Sequence, residues 1–213
     1  MSLSIVEIFA VAAALCAVLM AGSLHVKRNI FFYMVQTVLL AVVTAEIART
    51  DGELNLYLIA VAIAILKGGC VPIFLRWMVK RLQSYSDPGM MLAPPLAMHA
   101  SLLLFALSYL ELGSLGALPG SALAASAAAS LLLTGLILML TRKTALSQII
   151  GFLVIENGIY LFAVTQTSGM PLLVEMGVML DVLVAVMVAG LIVFRIQQSF
   201  EHIDVTQLAE LRD

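Results

Sequence analysis

The stretch "GFLVIENGIYLF" (residues 151–162) decides how this sequence is read, because it carries one charged residue in a run that is otherwise uncharged and mostly apolar. The exception is Glu156, and the other eleven of the twelve residues carry no charge. A carboxylate surrounded by hydrocarbon is costly unless it is paired, hydrated or protonated. The run therefore raises two questions: whether it crosses a membrane, and what its carboxylate does there.

The composition of the whole chain indicates an integral membrane protein. Of its 213 residues 62% are hydrophobic and 11% are charged, and the mean hydropathy is +1.10. No water-soluble domain of this length needs so apolar a sequence. The apolar runs suit helices, which need about 20 residues to cross a membrane, and the alternation of barrel strands is absent. We therefore predict an all-α fold, a polytopic transmembrane helical bundle.

Seven apolar stretches have the length of a membrane-crossing helix. They are residues 4–24, 30–48, 56–78, 91–110, 121–141, 146–167 and 171–194. With the N-terminus outside and the C-terminus inside, only Arg49 among the basic residues near helix ends lies outside, and the following lie inside: Lys27, Arg28, Arg76, Lys80, Arg81, Arg142, Lys143 and Arg195. Basic residues flank spans preferentially on the cytoplasmic side, which favours this orientation.

Two loops divide the chain into parts. Residues 81–90 contain Asp, Pro and Gly and predict a cytoplasmic turn, whereas residues 111–121 are glycine-rich, nearly uncharged and external. The second loop separates a four-helix N-terminal part, 1–111, from a three-helix part, 121–195, and an amphipathic cytoplasmic tail follows at 196–213. The small residues of the span at 121–141 predict a helix that is buried against a partner.

Patterns for self-contained catalysis are absent from the sequence. There is no glycine-rich phosphate loop, no cysteine or histidine cluster with metal-ligand spacing, and no arrangement of a nucleophile with a base. Cys16 and Cys70 are read as small packing residues rather than as a disulfide or metal site, and His25 and His202 as surface residues. An autonomous transporter is also disfavoured, because the spans do not divide into matching halves.

Ionisable side chains inside the spans are the strongest functional signal. Glu7 and Glu46 lie near the external ends of their helices, where they can reach water. Of the other five, which include His99 and Glu175, the residues Lys67, Glu156 and Asp181 lie near the middle of their spans. A charge there costs from about 2.5 to well over 10 kcal/mol unless it is paired or hydrated.

Two interpretations of the central charges stay open. The first is a buried pair of Lys67 with a carboxylate that fixes helix register. The second is proton handling. A low dielectric favours the neutral forms of the lysine and the carboxyl group, whereas a nearby opposite charge favours their charged forms. Such a pair is able to switch between two protonation states. The sequence leaves the acidic partner of Lys67 open.

Neighbouring residues fit the second interpretation. Asn157 and Tyr160 are placed to hydrogen-bond the Glu156 carboxylate or a water, and His99 to relay a proton if it faces the same cavity. In "LKGGCVP" (66–72) two glycines and a proline follow Lys67, which predicts a kink or local unwinding, although glycine pairs also serve close packing. Glu175 and Asp181 are about 120° apart around a helix, so Asp181 is assigned the central role and Glu175 an external vestibule.

The C-terminal third resembles a known family. The segments "RKTALSQIIGFLVIENGIYLF" and "PLLVEMGVMLDVLVAVMVAGLIVFRI", with the ending "HIDVTQLAELRD", resemble the E component of hydrogenase-4-type complexes. The last three helices are similar to subunit K of respiratory complex I and to the C subunit of multisubunit sodium/proton antiporters. The likeness covers about residues 142–213 and is weaker upstream, where it rests on 66–72.

The resemblance implies a non-catalytic membrane subunit of an energy-converting complex in a bacterial or archaeal cytoplasmic membrane. Its expected partners are antiporter-like membrane subunits, other membrane anchors and hydrogenase-like redox subunits, which would hold the nickel–iron centre and iron–sulfur clusters. The family has two mid-membrane carboxylates on a hydrated axis. Glu156 matches the first, and Asp181 or Glu175 the second, with Asp181 preferred for its depth. Four additional N-terminal helices favour the hydrogenase-4 type over complex I.

Overall fold

The computed structural model describes residues 4–82, 86, 92–114 and 120–166, and over these residues the chain is all-helical. The helices, in chain order, are α1 (Ile5–Ala21), α2 (Val26–Asp51), α3 (Leu54–Ala62), a π-helical segment (Ile63–Cys70), α4 (Val71–Leu82), α5 (Pro94–Ser114), α6 (Ala122–Thr141) and α7 (Ala145–Gln166). The all-α, membrane-type architecture is thus confirmed. The predicted span at 171–194, the tail at 196–213, and Glu175 and Asp181 lie outside the described residues.

Five helical stretches in the described part are long and apolar enough to cross a membrane. Four of them are α2, α5, α6 and α7, and the fifth runs through α3, the π-helical segment and α4 as Leu54–Arg81. Helix α1 is also apolar but has 17 residues, fewer than the predicted span of 4–24. Ser4 is its N-cap: the Ser4 side chain accepts a hydrogen bond from the Glu7 backbone N–H in a capping box, and the helix therefore begins at Ile5.

The third span is interrupted where the sequence predicts it. The backbone between Ile63 and Cys70 is π-helical, and the Val71 N–H donates to the carbonyl of Leu66, five residues earlier. Pro72 has no N–H to continue an α-helical ladder, which explains a wider turn just before it. A Cβ on Gly68 would lie 3.4 Å from Val38 Cγ2, so this glycine also packs closely on α2. The span thus departs from α-helical geometry at the predicted place but stays helical throughout, and the predicted close packing accompanies the change.

Helices α6 and α7 cross at very short range. A Cβ added to Gly135 would lie 2.8 Å from the Gly151 carbonyl oxygen, and one added to Gly158 would lie 2.9 Å from the Ala128 oxygen. Each distance is shorter than real Cβ contacts, so only glycine permits the observed crossing. In lipid, where helices associate by dispersion and close fit, small residues of this kind determine which faces meet.

Helix α6 is surrounded by helices of its own chain, which accounts for its small residues. It packs against α7, α5 and α1. Its buried residues are mostly alanine, serine and glycine, from Ala124 to Gly135. The predicted burial is confirmed, and the partner is the chain itself. Helices on both sides of the 111–121 loop thus pack together, while the division into parts at that loop stays a prediction.

Basic residues gather at one end of the bundle, and hydrogen bonds between helix ends and loops close the other. His25 and Ser86 form an isolated antiparallel bridge, which brings the α1–α2 and α4–α5 connections together at one end. We call this end, with Lys27, Arg28, Arg76, Lys80, Arg81, Arg142 and Lys143, the cation-rich end. At the opposite end the Ser121 hydroxyl donates to Glu7 Oε1 at 2.6 Å, and the Gly120 N–H donates to Gln166 Oε1 at 3.2 Å.

Arg142 joins two helices at the cation-rich end. Its side chain is buried, and Nη2 donates to the carbonyl oxygens of Met20 and Ala21 at 3.0 Å each. These carbonyls belong to the last turn of α1, where the α-helical N–H donors run out, although the Met20 oxygen also accepts from the Ser23 N–H at 3.0 Å. The guanidinium therefore ties the C-terminus of α1 to the connection between α6 and α7.

We expect Arg142→Leu to lower the free energy of unfolding by about 2 kcal/mol, because hydrogen bonds from a charged group contribute about 1.5–3 kcal/mol. The matched control is Lys143→Leu, which removes the same charge from the next residue, an exposed one. It should change stability by less than about 0.5 kcal/mol. Thermal denaturation of the detergent-solubilised variants measures the difference, and equal losses would contradict the assignment.

Candidate functional site

An ion pair lies near the middle of the membrane-spanning helices. Lys67 Nζ, from the π-helical segment, is 3.0 Å from Glu156 Oε1 of α7. The two side chains are 9% and 2% exposed. Glu156 lies near the centre of the 22-residue α7, and Lys67 near the centre of the 28-residue span Leu54–Arg81. The sequence places both groups near mid-depth, and the structure pairs them.

The π-helical segment explains how a lysine reaches this position. Lys67 and Gly68 are buried in the segment, whereas Gly69 is part-buried and Cys70 is exposed. A Cβ at Gly68 would lie 3.4 Å from Val38 Cγ2, an ordinary van der Waals distance, so the segment packs directly on α2. On α7, glycines place Glu156 by holding the helix tightly on α6. The carboxylate therefore owes its position to glycine packing, while the lysine lies on the buried side of the π-helical segment.

A hydrogen-bonded amide cluster adjoins the ion pair. Asn157 Nδ2 donates to Gln36 Oε1 at 3.0 Å and to Thr37 Oγ1 at 3.2 Å. Gln36 Nε2 in turn donates to the Ala13 carbonyl oxygen of α1 at 3.1 Å. Asn157, Gln36 and Thr37 are all buried. Three helices are thus linked by side-chain amides at the level of Glu156.

Tyr160 makes a separate contact one turn further along α7. Its hydroxyl lies 2.8 Å from Thr44 Oγ1, and Thr44 donates its own hydrogen to the Leu40 carbonyl, so the tyrosine is the donor. The predicted supporting residues thus have defined partners. Asn157 and Tyr160 both bond to side chains of α2. The sequence-based hypothesis had instead placed them against the carboxylate or a water.

The other residues singled out in the sequence lie apart from the pair. His99 of α5 is exposed, with Nδ1 2.6 Å from the Pro95 carbonyl oxygen, and α5 packs mainly on α6 and α1. The structure does not bring it into the cluster, so its relay role stays a prediction. Glu7 bonds to Ser4 and Ser121 near a helix end, and Glu46 pairs with Arg49 at 2.6 Å near another. Both agree with their interpretation as end residues.

Sequence reasoning missed Gln36, Thr37 and Thr44. They recur with Asn29 and Tyr33 at spacings of three, four and seven residues, which place all five on one face of α2. That face is buried against other helices of the chain. Polar residues with helical periodicity inside an apolar span are a detectable signal, and this one was overlooked because none of the five is charged at that depth.

The site consists of an ion pair beside a hydrogen-bonded cluster. No cluster of three or more His, Cys, Asp or Glu residues that would hold a metal ion occurs in the described part of the chain. Cys16 is part-buried on α1 and Cys70 is exposed on the π-helical segment, both as free thiols. The buried ammonium and carboxylate are each other's counterion, and transfer of one proton between them leaves both neutral.

Comparisons with known proteins locate a relative without assigning an activity. No family model matches the chain, and no solved structure matches it. The chain is 38% identical over 170 residues to the "Uncharacterized protein Rv0085" of Mycobacterium tuberculosis, an alignment that covers 73% of each chain. Identity at this level over most of both chains indicates common descent. The chain belongs to the same family as that mycobacterial protein.

Proposed function

We propose that the chain is a membrane subunit of a complex I-like, hydrogenase-4-type energy-converting complex, in which it contributes mid-membrane carboxylates to a hydrated proton path. The observation that supports this most directly is the Lys67–Glu156 pair, with its 3.0 Å separation and near-complete burial. Ionisable residues at this depth are rare and mark ion or proton pathways in membrane proteins. The path would run between the redox module and antiporter-like subunits.

The chemistry of the pair is a reversible proton transfer. In the charged state Lys67 is an ammonium and Glu156 a carboxylate. When a positive charge approaches from a neighbouring subunit, the lysine is favoured to release its proton, and the carboxylate is then favoured to accept one because its counterion has gone. Glu156 thus takes up and releases a proton as charges move nearby, and Lys67 tunes when it does so.

The proposed architecture has seven spans, with the N-terminus outside and the C-terminus inside a bacterial or archaeal cytoplasmic membrane. The gathering of basic residues at the cation-rich end supports this orientation, because such residues prefer the cytoplasmic side. Asp181 is proposed as the second central carboxylate and Glu175 as a vestibule residue. Redox cofactors, a nickel–iron centre and iron–sulfur clusters, belong to partner subunits.

A structural scaffold is the second candidate, and one observation favours it. Asn157, Gln36 and the Ala13 carbonyl link α7, α2 and α1 beside the ion pair, as expected for groups that fix helix register. In this alternative the pair orders neighbouring membrane subunits and carries no protons. Buried ion pairs can serve such specificity, although their net contribution to stability is small or negative.

The double variant Lys67→Met/Glu156→Gln separates the two candidates. It removes both charges together, so neither is left buried without its counterion; glutamine keeps the size of glutamate, and methionine keeps the unbranched shape of the lysine stem. For a relay, native gels should show an assembled complex while proton movement into sealed vesicles is lost. For a scaffold, whatever complex forms should move protons at the normal rate, and that result would contradict the relay. Lys67→Met alone, which strands Glu156, should assemble less well than the double variant.

A further inference from the structure

One face of α2 carries a buried polar stripe from the cation-rich end to the middle of the bundle. We name this set, Asn29, Tyr33, Gln36 and Thr37, the inner stripe. All four are at most 2% exposed. Their spacing of four, three and one residues keeps them within about 100° around the helix, which is one face. Polar side chains line this face over about two helical turns.

Hydrogen bonds connect the inner stripe at both of its ends. Asn29 Nδ2 donates to the Ser23 carbonyl oxygen at 3.2 Å, in the connection between α1 and α2 at the cation-rich end. Thr37 Oγ1 donates to the Tyr33 carbonyl at 2.9 Å and accepts from Asn157. Asn157 directly follows Glu156 on α7. The stripe thus leads from the bundle end to the residue beside the central carboxylate.

Asn29 supplies an independent observation. Its Oδ1 is buried and accepts no hydrogen bond from the described residues. Buried amide oxygens are nearly always satisfied, and where protein donors are lacking an ordered water fills that role. The unused acceptor lies within a polar stripe that offers further amide and hydroxyl groups. A file of waters would find hydrogen-bonding partners along it.

The stripe does not continue beyond the level of Glu156. The next residue of α2 on this face is Leu40, which is 1% exposed. Beyond it Thr44 and Tyr160 bond to each other, and Thr44 also donates to the Leu40 carbonyl. The polar lining therefore runs from the Ser23 carbonyl at the cation-rich end and ends at the apolar side chain of Leu40 toward the other.

We propose that the inner stripe, with Asn157, is a water-filled access path through which Glu156 exchanges protons with the cation-rich side of the membrane only. Its use in proton transfer rests on the proposed function, whereas the path itself is a property of this chain. Hydroxyl and amide side chains orient water without binding a proton permanently, which suits an entry path. Leu40 is the barrier that prevents exchange with the opposite side.

Thiol labelling tests the path without reference to proton coupling. In a chain with Cys16→Ala and Cys70→Ala, Thr37→Cys is compared with Thr44→Cys: the same substitution on the same helix face, two turns apart and on either side of Leu40. The probe is a charged, membrane-impermeant methanethiosulfonate applied to each side of sealed vesicles holding the complex. Lys143→Cys and Glu53→Cys, both at exposed positions, mark the cation-rich and opposite sides.

We expect Thr37→Cys to react from the side that labels Lys143→Cys, at least about tenfold faster than Thr44→Cys, because only a hydrated thiol forms the reactive thiolate. Asn29→Cys should react from the same side, faster still. Failure of both to react from that side, or equal reaction of Thr37→Cys from both sides, would overturn the proposal. If labelling is as expected but the uncharged Lys67/Glu156 double variant still moves protons, the path stands and the proposed function fails.

Discussion

Glu156→Gln is expected to leave the complex assembled, and its electron transfer to a dye unchanged, while coupled proton movement is abolished. Glutamine keeps the size of the side chain, and its amide oxygen can still accept a hydrogen bond from Lys67. It cannot take up or release a proton, so a relay that passes through this position stops. The measurement is acidification of sealed vesicles, followed with a pH-sensitive dye beside the dye-reduction rate of the same preparation.

Glu7→Gln is the matched control. It makes the same chemical change in the same chain, at a carboxylate that accepts hydrogen bonds from Ser121 and Ser4 near the opposite end of the bundle. Proton movement should persist in this variant, because Glu7 is remote from the central pair. Normal pumping by Glu156→Gln would refute the relay. Loss of assembly in Glu156→Gln, with normal coupling in what still forms, would instead favour the scaffold.

Gly158→Ala is expected to cost about 3 kcal/mol of stability, at the upper end of the usual range for overpacking. The added methyl group would lie 2.9 Å from the Ala128 carbonyl oxygen and 2.9 Å from the Leu132 backbone nitrogen. Both are backbone atoms of α6 and cannot rotate away. The two helices would have to separate along their whole crossing, which also carries Gly135 and Gly151.

Gly69→Ala provides the comparison for this effect. A Cβ there meets nothing closer than the Ala64 carbonyl oxygen at 3.9 Å, so the methyl group is accommodated. Alanine also loses less backbone entropy than glycine, and the variant should be unchanged or up to about 1 kcal/mol more stable. Thermal unfolding in detergent compares the two variants. Similar stability for both would mean that the α6–α7 crossing is looser than described.

The positions of the helices follow from the sequence because burial in lipid depends mainly on the length of an apolar run. The predicted spans at 121–141 and 146–167 match α6 and α7 within a residue at each end. The first span was predicted too long, since the Ser4 cap starts α1 and the chain turns after Ala21. The depth of Lys67 and Glu156 could likewise be counted along their helices.

Pairing across the bundle could not be predicted in the same way. The sequence offered Lys67 several acidic partners, and choosing Glu156 requires the rotation of α7 about its axis. That rotation is determined by two contacts of α7: the packing of its Gly151 and Gly158 against α6, and the hydrogen bond from its Asn157 to Gln36 of α2. His99 looked equally available in sequence, but its helix packs on α6 and α1 and leaves its ring exposed.

The sequence by itself thus determined that this protein is helical and membrane-spanning in character, and that charges lie at mid-depth, because hydropathy and helical rise act locally along the chain. Tertiary structure alone decided that Lys67 meets Glu156 and that Asn157 bonds to Gln36. Those features depend on contacts between residues far apart in sequence. Close fit between whole helix surfaces selects them, and no single segment encodes that fit.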